Sequence, residues 1–350
     1  MTEPVADTER RCNLASGFWW SVVTSLTSIA YRTRGEDDLA KIWYKVLTSE
    51  QGERYGEGLR KLGIRDDEPP AVRAAKYHFF SNSIGGLNMQ YVEEAPNKVW
   101  IRYIGPNGTY PGLGMLLAPA GQRRVVFSSW HPRNGELMGC PRLGYVATKF
   151  TAEGDPYDEG YFMEYDHDLK PEERIRFEVV HKTPEYNPAK APKLDPADWP
   201  KARLLKGMRN FARDYARNAT HVLEDLYGEL ATTGIITTAM RCMGVQLGKS
   251  FAAQFGAEGG GMDAIETLHA GMLEACYEEF EVITRTDTVL EIRRDTFFPF
   301  VGYVPDPRRE SFFEFQSMAT RMLNGHVRST RRTEGQSEIW RFEDIGEWLW

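Results

Sequence analysis

Cysteine is scarce, with 4 in 350 residues. Cys12, Cys140, Cys242 and Cys276 stand far apart and form no Cys-x-x-Cys pair. That spacing excludes a disulfide framework or a zinc ribbon and suits a reducing compartment, so a cytoplasmic location is expected. Neither His-x-x-x-His nor His-Glu-x-x-His occurs. A metal would therefore need ligands brought together by folding, and no metal or cofactor is expected. Gly259-Gly-Gly261 lacks the Lys-Ser/Thr that completes a phosphate loop. Positive charge is not in excess: 43 Lys and Arg face 50 Asp and Glu, a net charge of −7. This argues against nucleic acid as the partner, because phosphate binding draws on clustered basic residues. No long apolar run is present either. Phe18–Tyr31 is 14 residues long and holds five Ser or Thr, too short and too polar for a membrane span. It reads as a packed amphipathic helix. Met1-Thr-Glu-Pro lacks the basic start of a signal peptide.

Aromatic residues are abundant, at 12% with 9 Trp and 16 Tyr. With 41% hydrophobic and 27% charged residues, the chain reads as globular and ordered, long enough for two domains or one duplicated unit.

Two halves carry the same order of signals. Gly52-Glu-Arg-Tyr-Gly56 is followed by Leu59, Leu62 and Gly63; Gly244-Val-Gln-Leu-Gly248 is followed by Phe251, Phe255 and Gly256. Glycines four apart share a helix face and admit a neighbouring element, while the third suits a left-handed C-cap. A second helix is expected at about 70–87 and again at 262–280. Hairpins follow. Asn88–Glu94 turns at Ala95-Pro-Asn97 into Val99–Tyr103, and Phe280–Thr284 turns into Val289–Arg293. A further hairpin closes each half, Tyr145–Phe150 with Gly160–Tyr165 and His326–Arg331 with Glu338–Phe342, their turns Thr151-Ala-Glu-Gly154 and Arg332-Thr-Glu-Gly335 nearly alike. Between the hairpins, Arg309–Leu323 reads as helix and Arg123–Met138 is ambiguous.

The expected fold is therefore α+β, two tandem pseudo-symmetric helix-helix-hairpin units with antiparallel sheets. The expected division is an N-terminal helix at 1–36, a first unit at 37–182, a linker at 183–200 and a second unit at 201–350. Prolines at 184, 188, 192, 196 and 200 make the linker extended. Lys201–Ala216 reads as a basic helix with a solvated face.

The glycine-punctuated helix, the helix after it and the hairpins resemble the four-vinyl-reductase-type domain, and more closely the L-2-amino-thiazoline-4-carboxylic acid hydrolase-like family. The resemblance rests on Arg241-Cys-Met-Gly-Val-Gln-Leu-Gly248 and on the fainter Gly52–Gly63. It implies a ring-opening hydrolase or a small-molecule-binding relative. The Tyr-x-Ser-x-Arg haem motif of related gas sensors has no counterpart.

Ser128–Arg142 is the segment richest in reactive side chains. His131 is a candidate general base, Cys140 a candidate nucleophile, and Trp130 and Arg142 candidate substrate contacts. Asp155–Asp168 holds six carboxylates, of which Asp158, Glu159 and Glu164 are candidate acids or bases able to fix His131. Tyr161 and His78 complete the candidate binding set, and Gly85-Gly86 ends a helix or admits a ligand. Cys242 and Cys276 read as core residues. The expected function is a cofactor-independent hydrolase or lyase acting on a small cyclic or aromatic compound in an aromatic pocket between the units. The alternative is a non-catalytic small-molecule-binding or sensory domain. Convergence of base, nucleophile and acid in one concavity would favour catalysis; aromatic walls alone would favour binding. The expected partners are a small-molecule substrate and, as an option, further copies of the chain, with no nucleic acid and no membrane.

Overall fold

The computed structural model describes residues 5–49, 51–105 and 119–349. Met1–Pro4, where the sequence was read for a signal peptide, lie outside them. The fold is α+β, with a mixed five-stranded sheet and an antiparallel four-stranded one. By its contacts the chain divides into one unit of residues 34–208 and another of residues 1–33 with 209–350. Among the described residues no helix is long and apolar enough to cross a membrane.

The 34–208 unit contains α2 (Glu36–Thr48), α3 (Gln51–Lys61), α4 (Pro70–Ile84), β1 (Asn88–Ala95) and β2 (Lys98–Ile104). Then follow α5 (Gln122–Trp130), α6 (Arg133–Leu137), β3 (Leu143–Lys149), β4 (Tyr157–Glu164) and β5 (Ile175–Phe177). Pro70 starts α4 where its missing N–H costs nothing. At the other end Gly86 has φ +86° and the Leu87 N–H reaches back to the Asn82 carbonyl at 2.9 Å, so the Gly85-Gly86 pair terminates the helix. The strand order is β1-β2-β4-β3-β5. Inward residues of alternate strand positions (Val99, Ile101, Tyr103, Tyr145, Phe162) pack against Ala71, Val72 and Ala75 of α4 and Phe127 of α5. β5 lies parallel to β3, so the expectation of purely antiparallel sheets fails here. Three residues are too few to show a periodic strand pattern. The proline-rich segment stays against its own unit: the Trp199 indole donates to the Lys61 carbonyl at 3.1 Å, and the Pro184 carbonyl accepts from Arg102 at 2.6 Å.

The other unit contains α1 (Val5–Arg34, up to residue 33), α7 (Lys201–Phe255, from residue 209), α8 (Met262–Ala275), β6 (Phe280–Arg285) and β7 (Val289–Arg294). It ends with α9 (Asp306–Leu323), β8 (Val327–Glu334) and β9 (Ser337–Asp344). α7 breaks at Gly228, φ 77° and ψ 170°. The strand order is β6-β7-β9-β8, antiparallel throughout. Thr151–Glu153 forms a 3₁₀ turn closed by left-handed Gly154, whereas Arg332–Glu334 continue β8 and Gly335 turns after them. The two similar tetrapeptides thus fold differently. β8 pairs with β9 right up to Glu334↔Ser337, while the β3–β4 pairing stops at Lys149.

Gly63 and Gly256 both take positive φ after a helix, as C-cap glycines do. The paired glycines differ between halves. A Cβ at Gly244 would lie 2.6 Å from Met318 Cβ, and one at Gly248 would lie 2.9 Å from Ala319 Cα, so both admit α9. Gly56 meets only its own helix's Arg60, and the close approach on α3 is at Gly58, under the Tyr77 ring. Accordingly, Gly244→Leu should destabilise the protein by about 1–3 kcal/mol through overpacking. Gly56→Ala should be neutral or stabilising by up to about 1 kcal/mol, as a helical Gly→Ala change is. Urea unfolding of both variants checks the pair, and equal effects would refute the assigned contacts.

Candidate functional site

In the 34–208 unit, α4 directs His78 inward, α5 ends on His131, and β2 brings Tyr103 beneath both. All three are buried. The two imidazoles stack with centroids 4.2 Å apart and planes 18° from parallel. The Tyr103 hydroxyl lies 3.0 Å from His131 Nε2 and 3.4 Å from His78 Nδ1. On the far side, Asn134 Nδ2 lies 3.0 Å from His78 Nε2, and Asn134 Oδ1 accepts the Tyr55 hydroxyl at 2.5 Å.

These contacts set the direction of each hydrogen bond. Asn134 donates to His78 Nε2, so the His78 proton is on Nδ1 and points at the Tyr103 oxygen. Tyr103 then donates to His131 Nε2, which leaves the His131 proton on Nδ1. That atom is buried beside the Phe127 carbonyl without a hydrogen bond of normal geometry. Burial pushes His78 down to about 3, and pushes His131 well below the usual histidine range, with His78 and Arg123 adding to the effect. Both rings are neutral near pH 7. Among the described residues, no carboxylate is hydrogen-bonded to His131; Tyr103 holds that place.

The remaining sequence-selected residues are distributed around this unit. Asp158 and Glu159 are neighbours on β4 and therefore face opposite sides of the sheet. Asp158, on the helix-covered side opposite Tyr103, pairs with Arg123 and accepts from the Thr151 N–H at 2.8 Å and hydroxyl at 3.0 Å. Glu159 accepts from Arg102 Nε at 2.6 Å, Lys149 at 2.6 Å and the Thr148 hydroxyl at 2.9 Å. Tyr161 shares the Glu159 face and packs on Trp100, centroids 4.5 Å apart. Glu164 pairs with exposed Arg142 at 2.6 Å. Cys140 is half-buried in the turn between α6 and β3, its N–H bonded to the Gly135 carbonyl at 2.8 Å. Trp130 packs on His78 and Tyr55 at 5.6 Å each. The fold thus brings together His78, Trp130 and His131, with Asp158 nearby through Arg123. It gives Glu159, Tyr161, Glu164, Arg142 and Cys140 other surroundings. Tyr103, Asn134 and Tyr55 were missed. Tyr103 was detectable as the inward end of the alternation Val99-Trp-Ile-Arg-Tyr103, and Asn134 lies within the selected segment.

The other unit contains a histidine in a similar setting. His269 of α8 is buried, with Nε2 2.7 Å from the Thr320 hydroxyl of α9 and its ring 4.4 Å from Phe342 of β9. Burial pushes it down to about 3. Alongside lies a cavity of about 30 Å³ walled by Phe18, Trp19, Phe297, Phe312 and Trp340 and reaching Cys276, Glu278, Arg294 and Gln316. Glu278 accepts from Arg294 Nη1 at 2.9 Å, and Arg294 Nη2 reaches Glu338 at 3.1 Å. The guanidinium lies over Trp340 at 4.4 Å and Phe297 at 4.5 Å. Burial pushes the Glu278 carboxyl up to about 7, with Glu338 adding to the rise and Arg294 opposing it. The Cys276 thiol is pushed far up by burial and by Glu278, so it is a poor source of thiolate. Two of the residues that line it, Trp19 and Gln316, each have a buried polar atom, Nε1 and Oε1, without a hydrogen-bond partner. Among the described residues no cluster of His, Cys, Asp and Glu is arranged to hold a metal.

Sequence reasoning missed this site because Glu278 was taken as the tail of a helix, and its partners lie far along the chain. No protein-family model, curated protein or solved structure matches this chain.

The buried groups give stability opposite pH dependences. Glu278 titrates higher in the native state than its ordinary 4.5, so its contribution is full below pH 4.5 and is lost as pH rises through about 7. His78 and His269 titrate below their ordinary 6.5, so theirs is present above pH 6.5 and is lost as pH falls toward about 3. The melting temperature of Glu278→Gln relative to the parent should therefore increase steadily between about pH 5 and 8. A difference that does not vary with pH would remove Glu278 from this role.

Proposed function

We propose that this chain binds a small cyclic or aromatic compound in the cavity of the 209–350 unit, as a binding domain and not a hydrolase. The observation that supports this reading is one largely aromatic cavity lined by Trp19 and Gln316, each of which keeps a buried polar atom without a hydrogen-bond partner. An unmet buried polar group costs roughly 1–3 kcal/mol, which a ligand supplying the missing partner recovers. At about 30 Å³ the cavity holds one water-sized group. The polar end of a ligand fits there, and its ring would enter by displacing the segment that carries Phe297 and Phe298. Within that segment Val301 and Tyr303 are 85% and 88% exposed, while Phe300 and Val304 are buried.

The hydrolase or lyase reading calls for His131, Cys140 and a carboxylate in one concavity. Instead the His131 network is closed by Tyr103, His78 and Asn134, and Asp158 and Glu159 are engaged by arginines. Internal duplication is part of the same proposal. It is supported by the strand orders β1-β2-β4-β3 and β6-β7-β9-β8, and by His78 and His269 packing on Phe162 and Phe342. On this view the histidines belong to the common scaffold, and the resemblance to the thiazoline hydrolase-like family extends to the scaffold without the hydrolysis.

Mass spectrometry of compounds released from the purified chain tests the proposal. A small organic molecule should be recovered from the parent and from Cys140→Ala, and lost from Gln316→Met with the fold intact by circular dichroism. Recovery undiminished in Gln316→Met would reject this site. Turnover of a candidate substrate that disappears in Cys140→Ala at unchanged melting temperature would restore the hydrolase.

A further inference from the structure

Two walls of the cavity, Phe297 and Phe298, come from the segment between β7 and α9, and a buried carboxylate ties that segment down. Glu278, in the turn between α8 and β6, has 4% of its side chain exposed. It accepts from the Phe298 N–H and, at 3.5 Å, from the Thr296 hydroxyl, both on this segment. On the sheet side it accepts from Arg294 Nη1 at 2.9 Å. Beyond the tie, Phe300 packs on Phe297 and Phe312 with centroids 5.9 and 5.7 Å apart.

The charged groups facing this carboxylate are Arg294 of β7 and Glu338 of β9. α7 contributes Arg209, over the Tyr277 ring at 4.0 Å, and Arg213, over the Phe298 ring at 5.2 Å. α9 contributes Arg308 and Arg309, over Phe300 at 5.2 Å and Phe297 at 5.6 Å. Arginines keep their charge across the range in which proteins fold. Cys276, on the same turn as Glu278, is held as a thiol by burial. His221 of α7 meets the segment at Phe300, centroids 5.6 Å apart, and is the titrating group that competes with Glu278 for control of it.

We propose that residues 295–300 form a strap that is released when Glu278 ionises, so that a ligand is retained in mildly acidic solution and exchanges in mildly alkaline solution. The ligand part of this statement rests on the binding reading above; the strap does not. Ionised Glu278 keeps Arg294 but lacks water, and displacing Thr296 and Phe298 admits it. With the strap closed, burial pushes the carboxyl up to about 7; hydrated, it returns to its ordinary 4.5. Release therefore sheds a proton between these limits and becomes more favourable as pH rises, with a ceiling of roughly 300-fold. His221 acts with the opposite sign. Burial and Arg308 push it below its ordinary 6.5, so exposing it would favour release as pH falls. The direction of the pH dependence thus separates the two groups.

Hydrogen-exchange mass spectrometry of the full chain between pH 5.5 and 8 tests this, with each rate divided by that of an unprotected amide at the same pH. In peptides covering 295–304 the ratio should rise about tenfold or more over that range. It should stay level in peptides covering β9, become level in Glu278→Gln, and still rise in His221→Gln. A ratio that is constant or falls with pH, or that rises equally in Glu278→Gln, would overturn the strap. A rise shared by β9 would assign the effect to unfolding of the whole unit and overturn it as well. If Glu278→Gln does not fold, the direction and location of the rise in the parent and in His221→Gln decide. The measurement needs no ligand. A pH-dependent strap in a chain that releases no compound would keep the strap and reject the binding reading, whereas a released compound with pH-independent exchange would reject the strap alone.

Discussion

A carboxylate with almost no exposure on the last hairpin strand of each sheet is the constraint from which much else follows. Asp158 on β4 is 0% exposed and Glu338 on β9 is 1% exposed. An uncompensated buried charge costs several kcal/mol, so each position needs an arginine close at hand. In the 34–208 unit Arg123 comes from α5, so the pair fastens that helix to the sheet. In the 209–350 unit Arg294 and Arg331 come from flanking strands, and Glu338 also accepts the Trp340 indole. Arg294 then needs a second carboxylate for its remaining donor, and Glu278 provides it. The cavity beside Glu278 is therefore anchored to the sheet through one guanidinium. Loss of one member would leave the others charged in a poorly solvated interior, an effect of about 3–5 kcal/mol. Loss of the whole cluster for well-packed apolar side chains would cost less.

The buried histidines follow from a different balance. Imidazole can remain neutral and serve as both donor and acceptor, so a dry interior accepts it when each nitrogen has a partner. His78 meets this condition through Asn134 and Tyr103, and its neighbour His131 meets it at Nε2. His269 has Thr320 at Nε2 and keeps Nδ1 without a partner. Catalysis by such a ring would require a proton donor or acceptor arriving from a substrate, and here the available lone pairs are directed at protein atoms. The same geometry that makes His131 unusual in its titration thus argues for a role in holding β2, α4 and α5 in register.

Much of the architecture was legible because it is encoded locally. Val99–Tyr103 alternates as a half-buried strand should, Pro70 and Gly86 bracket α4, and Gly63 and Gly256 cap their helices. Features that depend on remote partners were not. Gly244 and Gly248 admit α9, while Gly52 and Gly56, at identical spacing, gave no hint that the close approach on α3 is at Gly58. The acidic run from Asp155 to Asp168 suggested acid–base chemistry, yet Asp158 and Glu159 are bound on opposite faces of β4 by arginines 35 and 57 residues away. A carboxylate's neighbours in sequence say little about its neighbours across a sheet. Glu278 is the clearest case, since everything that makes it unusual comes from Arg294, Glu338 and the fold's exclusion of water.

The contrast between the two units then becomes one of hydrogen-bond capacity. Tyr55, Asn134, His78, Tyr103 and His131 form a chain in which nearly every donor finds an acceptor, and the space between the rings is filled. Such a network specifies one arrangement of its helices and leaves little for a guest to improve. In the other unit His269 has Thr320 at Nε2 and no partner at Nδ1, and Gln316, one turn along α9 from Thr320, keeps a buried oxygen without a partner. Unpartnered buried atoms occur in both units, at His131 Nδ1 and Tyr145 in one and at Trp19, Gln316 and His269 Nδ1 in the other, so the binding reading rests on the aromatic cavity beside the second set and not on spare hydrogen bonding alone.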